Sequence, residues 1–355
     1  MRPRAAANGP CCEDLPVPDA TRSRLGVSYF GNRYPHHARD DLRAIASTGA
    51  GFVVHVMSEA DLRWNPGTIA DLVSIGNDYG LQPWLIPWAV GGIFGGESAS
   101  YAVGEHPDAC QRGSDGHHLP ALCPRQPVFR SLIEAWLDAA TAAGAEVVQW
   151  DELHLALPYR VGATPWACRC DACQEAFRHR FGKAMPESVT PDVEAFLDDL
   201  IADTLAWMVE TARARGLQSS IVLLANESYD PAQWRSAASL PGVRYFGTTA
   251  FWLFYGVPAD ELETYLSLWA GRILEATTGT DAEPMGWVQA FDVPAGRESE
   301  VERAIRILRD AGVTTSAVWS YLACVAMSGL APEDPAAVWA AVERGFARVV
   351  GQVER

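Results

Sequence analysis

Lysine is almost missing from this chain: Lys183 is the only one among 355 residues. Barrel enzymes that form Schiff bases need a buried lysine at a strand end. Lys183 instead follows a cysteine-rich helical segment, so that chemistry is excluded. Positive charge is scarce altogether, with 28 basic against 44 acidic side chains and a net charge of −16. No basic stripe is visible, so nucleic acid is not an expected partner. No apolar run approaches the roughly 18 residues that a membrane helix needs, so no membrane association is expected. Met1–Arg24 has charges, prolines, Cys11 and Cys12 but no apolar h-region. It therefore does not read as a secretory signal. Residues 1–24 are expected to be a flexible lead-in with exposed tail thiols, and the protein to be cytoplasmic. Strand one offers no His-x-His pair, only Tyr34–Pro35–His36–His37 in the loop beyond it. The loops after the last two strands also lack a phosphate-binding glycine cluster.

What is present is alternation. Short β-branched and aromatic runs exchange with helical patterns from Leu25 onward, as βα units with a parallel sheet require. The expected strands are Leu25–Gly31, Gly51–Met57, Leu81–Trp88, Glu146–Glu152, Leu217–Leu224, Val243–Ala250, Pro284–Phe291 and Thr314–Tyr321. Helices are expected at Ala38–Thr48, Pro66–Tyr79 (capped by Asn65), Pro127–Ala143 and Pro191–Arg215. Four more are expected at Asp230–Ser239, Pro258–Ala276, Glu298–Ala311 and Pro335–Val350. Eight of each in strict order predict an α/β fold, a single (β/α)8 barrel over residues 25–355. Its longest insertions, Ala89–Leu122 and Leu153–Gly182, follow strands three and four. Such loops lie on the catalytic face and shape the site.

Cys168, Cys170 and Cys173 form a C-x-C-x-x-C run in the second insertion. Three thiols so close cannot all pair with one another, and at this spacing they suit tetrahedral zinc with a fourth ligand. Cys123 is the first choice for that ligand and Cys110 the second. A site filled by four protein ligands is structural, tying the third βα loop to the fourth. Unligated thiols are the alternative, and Cys324 reads as a small buried hydrophobe.

The stretch from Leu122–Cys123–Pro124 through Phe129–Arg130, Gln149–Trp150–Asp151–Glu152 and Cys168 to Phe177 resembles glycoside hydrolase family 42, over residues 120–182. That resemblance implies a β-galactosidase-type barrel, with Cys123, Cys168, Cys170 and Cys173 matching the family's zinc ligands and Glu152 its acid/base. Two departures stand out. The family has Asn-Glu where this chain has Asp151–Glu152, and its strand-seven glutamate has no counterpart in Met285–Asp292. The expectation is a distant relative, to which galactose specificity is not carried over.

Glycosidic cleavage uses two carboxyl groups. Asp151, Glu152, Glu227 and Asp292 fall at expected strand ends. Glu152 is the preferred acid, its proton affinity raised by Asp151. Asp292 is the preferred nucleophile or base by position. Glu227 follows closely, one strand from Glu152 at a spacing of about 4.8 Å. There are 13 tryptophans, and flat rings pack against the C–H faces of sugars. Trp88, Trp150, Trp252, Trp287, Trp319 and Tyr321 are candidate platforms. Asn226, Gln289 and His55 are candidate hydroxyl partners, and His154 is a candidate for orienting substrate. Each has a core or solvent-facing alternative. The expected function is hydrolysis of an intracellular oligosaccharide or glycoside, with no organic cofactor. The alternatives are a catalytically silent sugar-binding barrel, or a hydrolase or isomerase of another class.

Overall fold

The computed structural model describes residues 24–353, apart from 31, 97 and 226–229. Eight parallel strands close into a barrel: β1 (Leu25–Tyr29), β2 (Phe52–Met57), β3 (Gln82–Pro87), β4 (Val147–Asp151), β5 (Gln218–Leu224), β6 (Val243–Thr249), β7 (Glu283–Gln289) and β8 (Thr315–Trp319). Each pairs with its neighbours in sequence, and β8 pairs with β1 through Leu25–Ser316, Gly26–Ala317 and Val27–Val318. The single (β/α)8 barrel read from the sequence is the fold.

Helices cover the outside of the barrel, so both faces of each strand are buried. In β2, Phe52, Val54 and Val56 enter an interior cluster with Trp84, Val147, Met285 and Trp287. Val53 and Met57 face the helical layer instead. The interior is filled by interlocking rings. Phe52 and Trp84 stack at 4.3 Å, and a Cβ on Gly26 would lie 2.1 Å from the Phe52 ring. Glycine there makes room for the phenyl group.

Most strands end one or two residues before the sequence patterns suggest, because the chain leaves the ladder as it enters its functional loops. Ala89, Glu152 and Asp292 have φ of 52°, 50° and 49°, as do Leu322 to Cys324 at 49° to 58°. These left-handed residues follow β3, β4, β7 and β8. Each costs about 1 kcal/mol or more outside glycine, and they collect on the C-terminal face. A short helix, Glu59–Trp64, precedes the expected Pro66–Tyr79 helix, which spans Thr68–Asp78. Ser58 and Asp61 build a capping box that starts the first, and Asn65 ends it instead of capping the second.

The insertion after β3 holds a short helix, Tyr101–Glu105, and an antiparallel hairpin, Cys110–Arg112 with His118–Leu122. That after β4 holds the helix Asp171–Phe181. Backbone bonds from Arg169 to Arg112 (2.8 Å) and Ser114 to Trp166 (2.9 Å) lock the two together. No helix among the described residues is long and apolar enough to cross a membrane.

Candidate active site and cysteine cluster

A cavity of about 300 Å³ opens at the C-terminal ends of the strands. Its wall contains Trp88, Asp151, Glu152, Trp287, Asp292 and Trp319, all named from the sequence. Its remaining lining is Gly95, Gly96, Leu224, Thr249, Phe251, Phe254, Tyr255, Phe291 and Leu330. A larger open groove of about 570 Å³ lies between the helices Glu59–Trp64, Tyr101–Glu105 and Pro127–Ala142. Its charges are already engaged. Arg63 pairs with Glu105 at 2.6 Å, and Glu59 accepts from Ser100 and from the Gly91 and Ala102 amides.

The carboxylates are held by different partners. Asp151 Oδ1 accepts a hydrogen bond from Gln149 Nε2 at 3.1 Å. Glu152 Oε1 accepts one from the Thr249 hydroxyl at 2.6 Å. Both approach Gly95, where an added Cβ would lie 2.9 Å from Asp151 Oδ2 and 3.4 Å from Glu152 Oε2. Removal from water, then the charge of Glu152, hold the Asp151 carboxyl well above the usual carboxylate range. Asp292 follows β7 in an exposed position, and its amide donates to the Leu330 carbonyl at 2.7 Å. Glu227 and Asn226 lie outside the described residues.

Four rings cluster at the site, three of them lining the cavity. Trp88 and Trp319 stack at 5.1 Å with 13° between planes, and Phe30 stacks on Trp319 at 5.2 Å. Trp287 meets Trp319 edge-on at 5.9 Å. Its indole Nε1 is buried with no hydrogen-bond partner.

Among the described residues, the other expected sugar contacts do not line this cavity. Trp150 points outward from β4, packs on Trp136 and donates to Ser219 at 3.1 Å. Alternation along the strand carries the signal for this: if Gln149 and Asp151 face inward, Trp150 faces the helices. Trp252 is fully buried and donates to Glu300 at 2.7 Å. Gln289 is engaged by the protein, accepting from the Leu253 and Phe254 amides and donating to the Phe291 carbonyl. Tyr321 lines a separate small pocket with Tyr29 and Asp41 and packs on Trp339. His55 is 1% exposed, sits against Tyr29 and Gly76 outside the barrel, and has neither ring nitrogen bonded. Burial, then Arg33, push its pKa down to about 3. His154 Nδ1 lies 2.6 Å from the Glu152 carbonyl oxygen, so it supports the backbone beside the carboxylate.

Away from the cavity, the sulfurs of Cys123, Cys168, Cys170 and Cys173 all lie within 4.8 Å of one another. The Cys123 and Cys173 sulfurs are 3.6 Å apart. A tetrahedron with metal–sulfur bonds of about 2.3 Å has sulfur–sulfur edges near 3.8 Å, so the donor set fits a metal ion. Hydrogen bonds from Cys123, Cys168 and Cys173 lower the Cys170 pKa far below that of a free thiol. Cys110 lies apart, directing its sulfur to the Val103 and His106 carbonyls at 3.6 Å. Cys324 is buried, as expected of a small hydrophobe.

No family model matches the chain, and no curated protein matches its sequence. Solved structures share the fold. A β-galactosidase from the psychrophilic Marinomonas ef1 superposes with TM-score 0.63 and 12% identity, covering 93% of this chain and 59% of its own. A β-galactosidase from Bacillus circulans sp. alkalophilus gives 0.59 and 12%, covering 83% and 50%. An endo-β-1,4-mannanase from Thermotoga petrophila gives 0.57 and 8%, covering 92% and 77%. The chain thus spans little more than half the length of these two β-galactosidases. At such identities the likeness concerns the fold.

Proposed function

We propose that this barrel, acting as one domain over residues 25–355, hydrolyses glycosidic bonds in an intracellular glycoside or oligosaccharide. The observation that carries the reading is the convergence of Asp151, Glu152 and Asp292 with Trp88, Trp287 and Trp319 on one cavity. Indole faces suit the C–H surface of a sugar ring, and carboxyl groups suit its acid–base chemistry.

In this scheme Asp151 and Glu152 hold one proton between them. Glu152 delivers it to the leaving oxygen as the anomeric C–O bond breaks. Asp292 either attacks the anomeric carbon or takes a proton from the water that does; Glu227 is the alternative. Water supplies the new hydroxyl in both routes. A hydrolysis assay on aryl glycosides of both anomers tests this. Glu152→Gln should lower turnover by about 10²–10⁴-fold, the usual worth of a general acid. A Glu152→Gln enzyme as active as wild type removes Glu152 from that role.

A second reading, a silent sugar-binding barrel, draws support from β7, which ends in Gln289 with no carboxylate at its C-terminal end. Sugar binding without turnover by any panel member would favour it. The four cysteines are proposed to hold a structural zinc, which supplies cross-linking and no step of the reaction. Sulfurs converging as ligands suit a reducing, cytoplasmic location.

A further inference from the structure

Beside its carboxylates and indoles the cavity is lined by an apolar set, Phe251, Phe254, Phe291 and Leu330, and by Tyr255. Phe254 is 67% exposed and Tyr255 38%, and their rings meet edge-on at 5.2 Å. Burying a phenyl group contributes about 1.5–3 kcal/mol, so two adjoining rings left open at a cavity mouth mark a surface that something apolar covers.

Neither ring is exposed because its segment is loose. Gln289, buried beneath it, accepts from the Leu253 and Phe254 amides at 3.0 and 3.3 Å. The fully buried Trp252 anchors the same segment to Glu300. The Val257 amide bonds back to the Trp252 carbonyl at 2.8 Å, and Arg297 holds the Val257 carbonyl. The aromatic pair is a fixed platform.

Its position relative to the chemistry follows from Glu152. Thr249, the last residue of β6, donates to that carboxyl group, and the segment that leaves the strand carries Phe254 and Tyr255 into the wall of the same cavity. The Tyr255 pKa is raised first by burial and then by the Glu152 charge. A general acid protonates the oxygen of the departing group, so the rings next to it face the group that leaves. Of this pair only Tyr255 carries a hydroxyl, and the neighbouring Phe251 and Phe291 rings carry none, so a second sugar ring would find few partners there for its hydroxyls.

Resting on the glycosidase reading above, we infer that Phe254 and Tyr255 form a leaving-group subsite that takes a planar, apolar aglycone. The natural substrate is then a glycoside of an aromatic alcohol or phenol, not a chain of sugars. Gln289 is a positioning residue that holds the platform in place.

Benzyl and methyl glycosides of the sugar identified by the aryl panel provide the test, because both release simple alcohols and differ in the apolar ring. Wild type should favour the benzyl compound in kcat/KM by about tenfold, the worth of one good aromatic contact. Phe254→Ala should bring that ratio close to one, and Phe254→Trp should keep it. Phe254 is exposed, so a melting curve matching wild type shows that the fold is intact. An unchanged ratio in Phe254→Ala, or a wild-type ratio near one, overturns the subsite while leaving the glycosidase standing. Failure of the whole aryl panel overturns both.

Discussion

Asp151 and Glu152 are adjacent in sequence, yet their environments differ. Glu152 accepts a hydrogen bond from the Thr249 hydroxyl, and its positive φ turns it out of the strand. Asp151 stays in the strand, where removal from water and the Glu152 charge raise its proton affinity. An acid with a raised pKa stabilises the fold where it is protonated and loses that contribution as pH rises through its folded value. Asp151→Asn should therefore melt above wild type at neutral pH, with the gap closing toward acid. Equal melting at pH 7 would contradict this. In the assay, the same substitution dissolves a pair that shares one proton, and a single carboxyl group releases its proton at lower pH than such a pair does. The alkaline limb of the pH profile should move to lower pH, and a limb that stays in place would uncouple the two groups.

The insertions after β3 and β4 act as one element. Hairpin and loop exchange backbone hydrogen bonds, and Cys123 meets the Cys168–Cys173 run across them. Because the first insertion also brings Gly95 against Asp151, this junction positions one wall of the cavity. Metal analysis of wild type should find about one zinc per chain, bound by four thiolates. Cys170→Ser should lose it and destabilise the fold by about 2 kcal/mol or more. Full stability in metal-free wild type would refute a structural zinc. The cysteine spacing is local in sequence and legible there for three ligands. Cys123 is the preferred fourth ligand in the sequence too, and the hairpin sets the second choice, Cys110, apart against the Val103 and His106 carbonyls. The tryptophans mark where local signal ends. Trp150 and Asp151 are both at a strand end, but successive side chains face opposite sides, and only the facing of β4 decides which one meets the cavity.

For the molecule as a whole, acid is the expected weakness. His55 is buried neutral between β2 and the helical layer, with its pKa lowered from 6.5 to about 3. The unfolded chain takes up a proton below 6.5 that the folded barrel refuses. Stability is therefore complete above that pH and lost as pH falls from 6.5 toward 3, by about 1.4 kcal/mol per unit. Denaturant unfolding across this range should show wild type losing stability faster than His55→Leu. Parallel curves would show that His55 is not the group responsible.

Alternation of apolar runs with amphipathic helices is a local property, repeated eight times, and it determined the barrel, its long loops and which face carries the chemistry. Cysteine spacing and the Asp151–Glu152 pair were likewise readable, because the residues concerned are neighbours in the chain. Tertiary structure decided which of those candidates share one space. Closure of β8 on β1 brings Trp319 to Trp88, and β6 delivers Phe254 and Tyr255 from Phe251–Tyr255, a run in which every side chain is apolar or aromatic. Trp252 goes into the core and Phe254 to the mouth. The reason is that burial belongs to contacts between distant segments, and within a continuous apolar run no period marks which ring will face a partner and which a ligand.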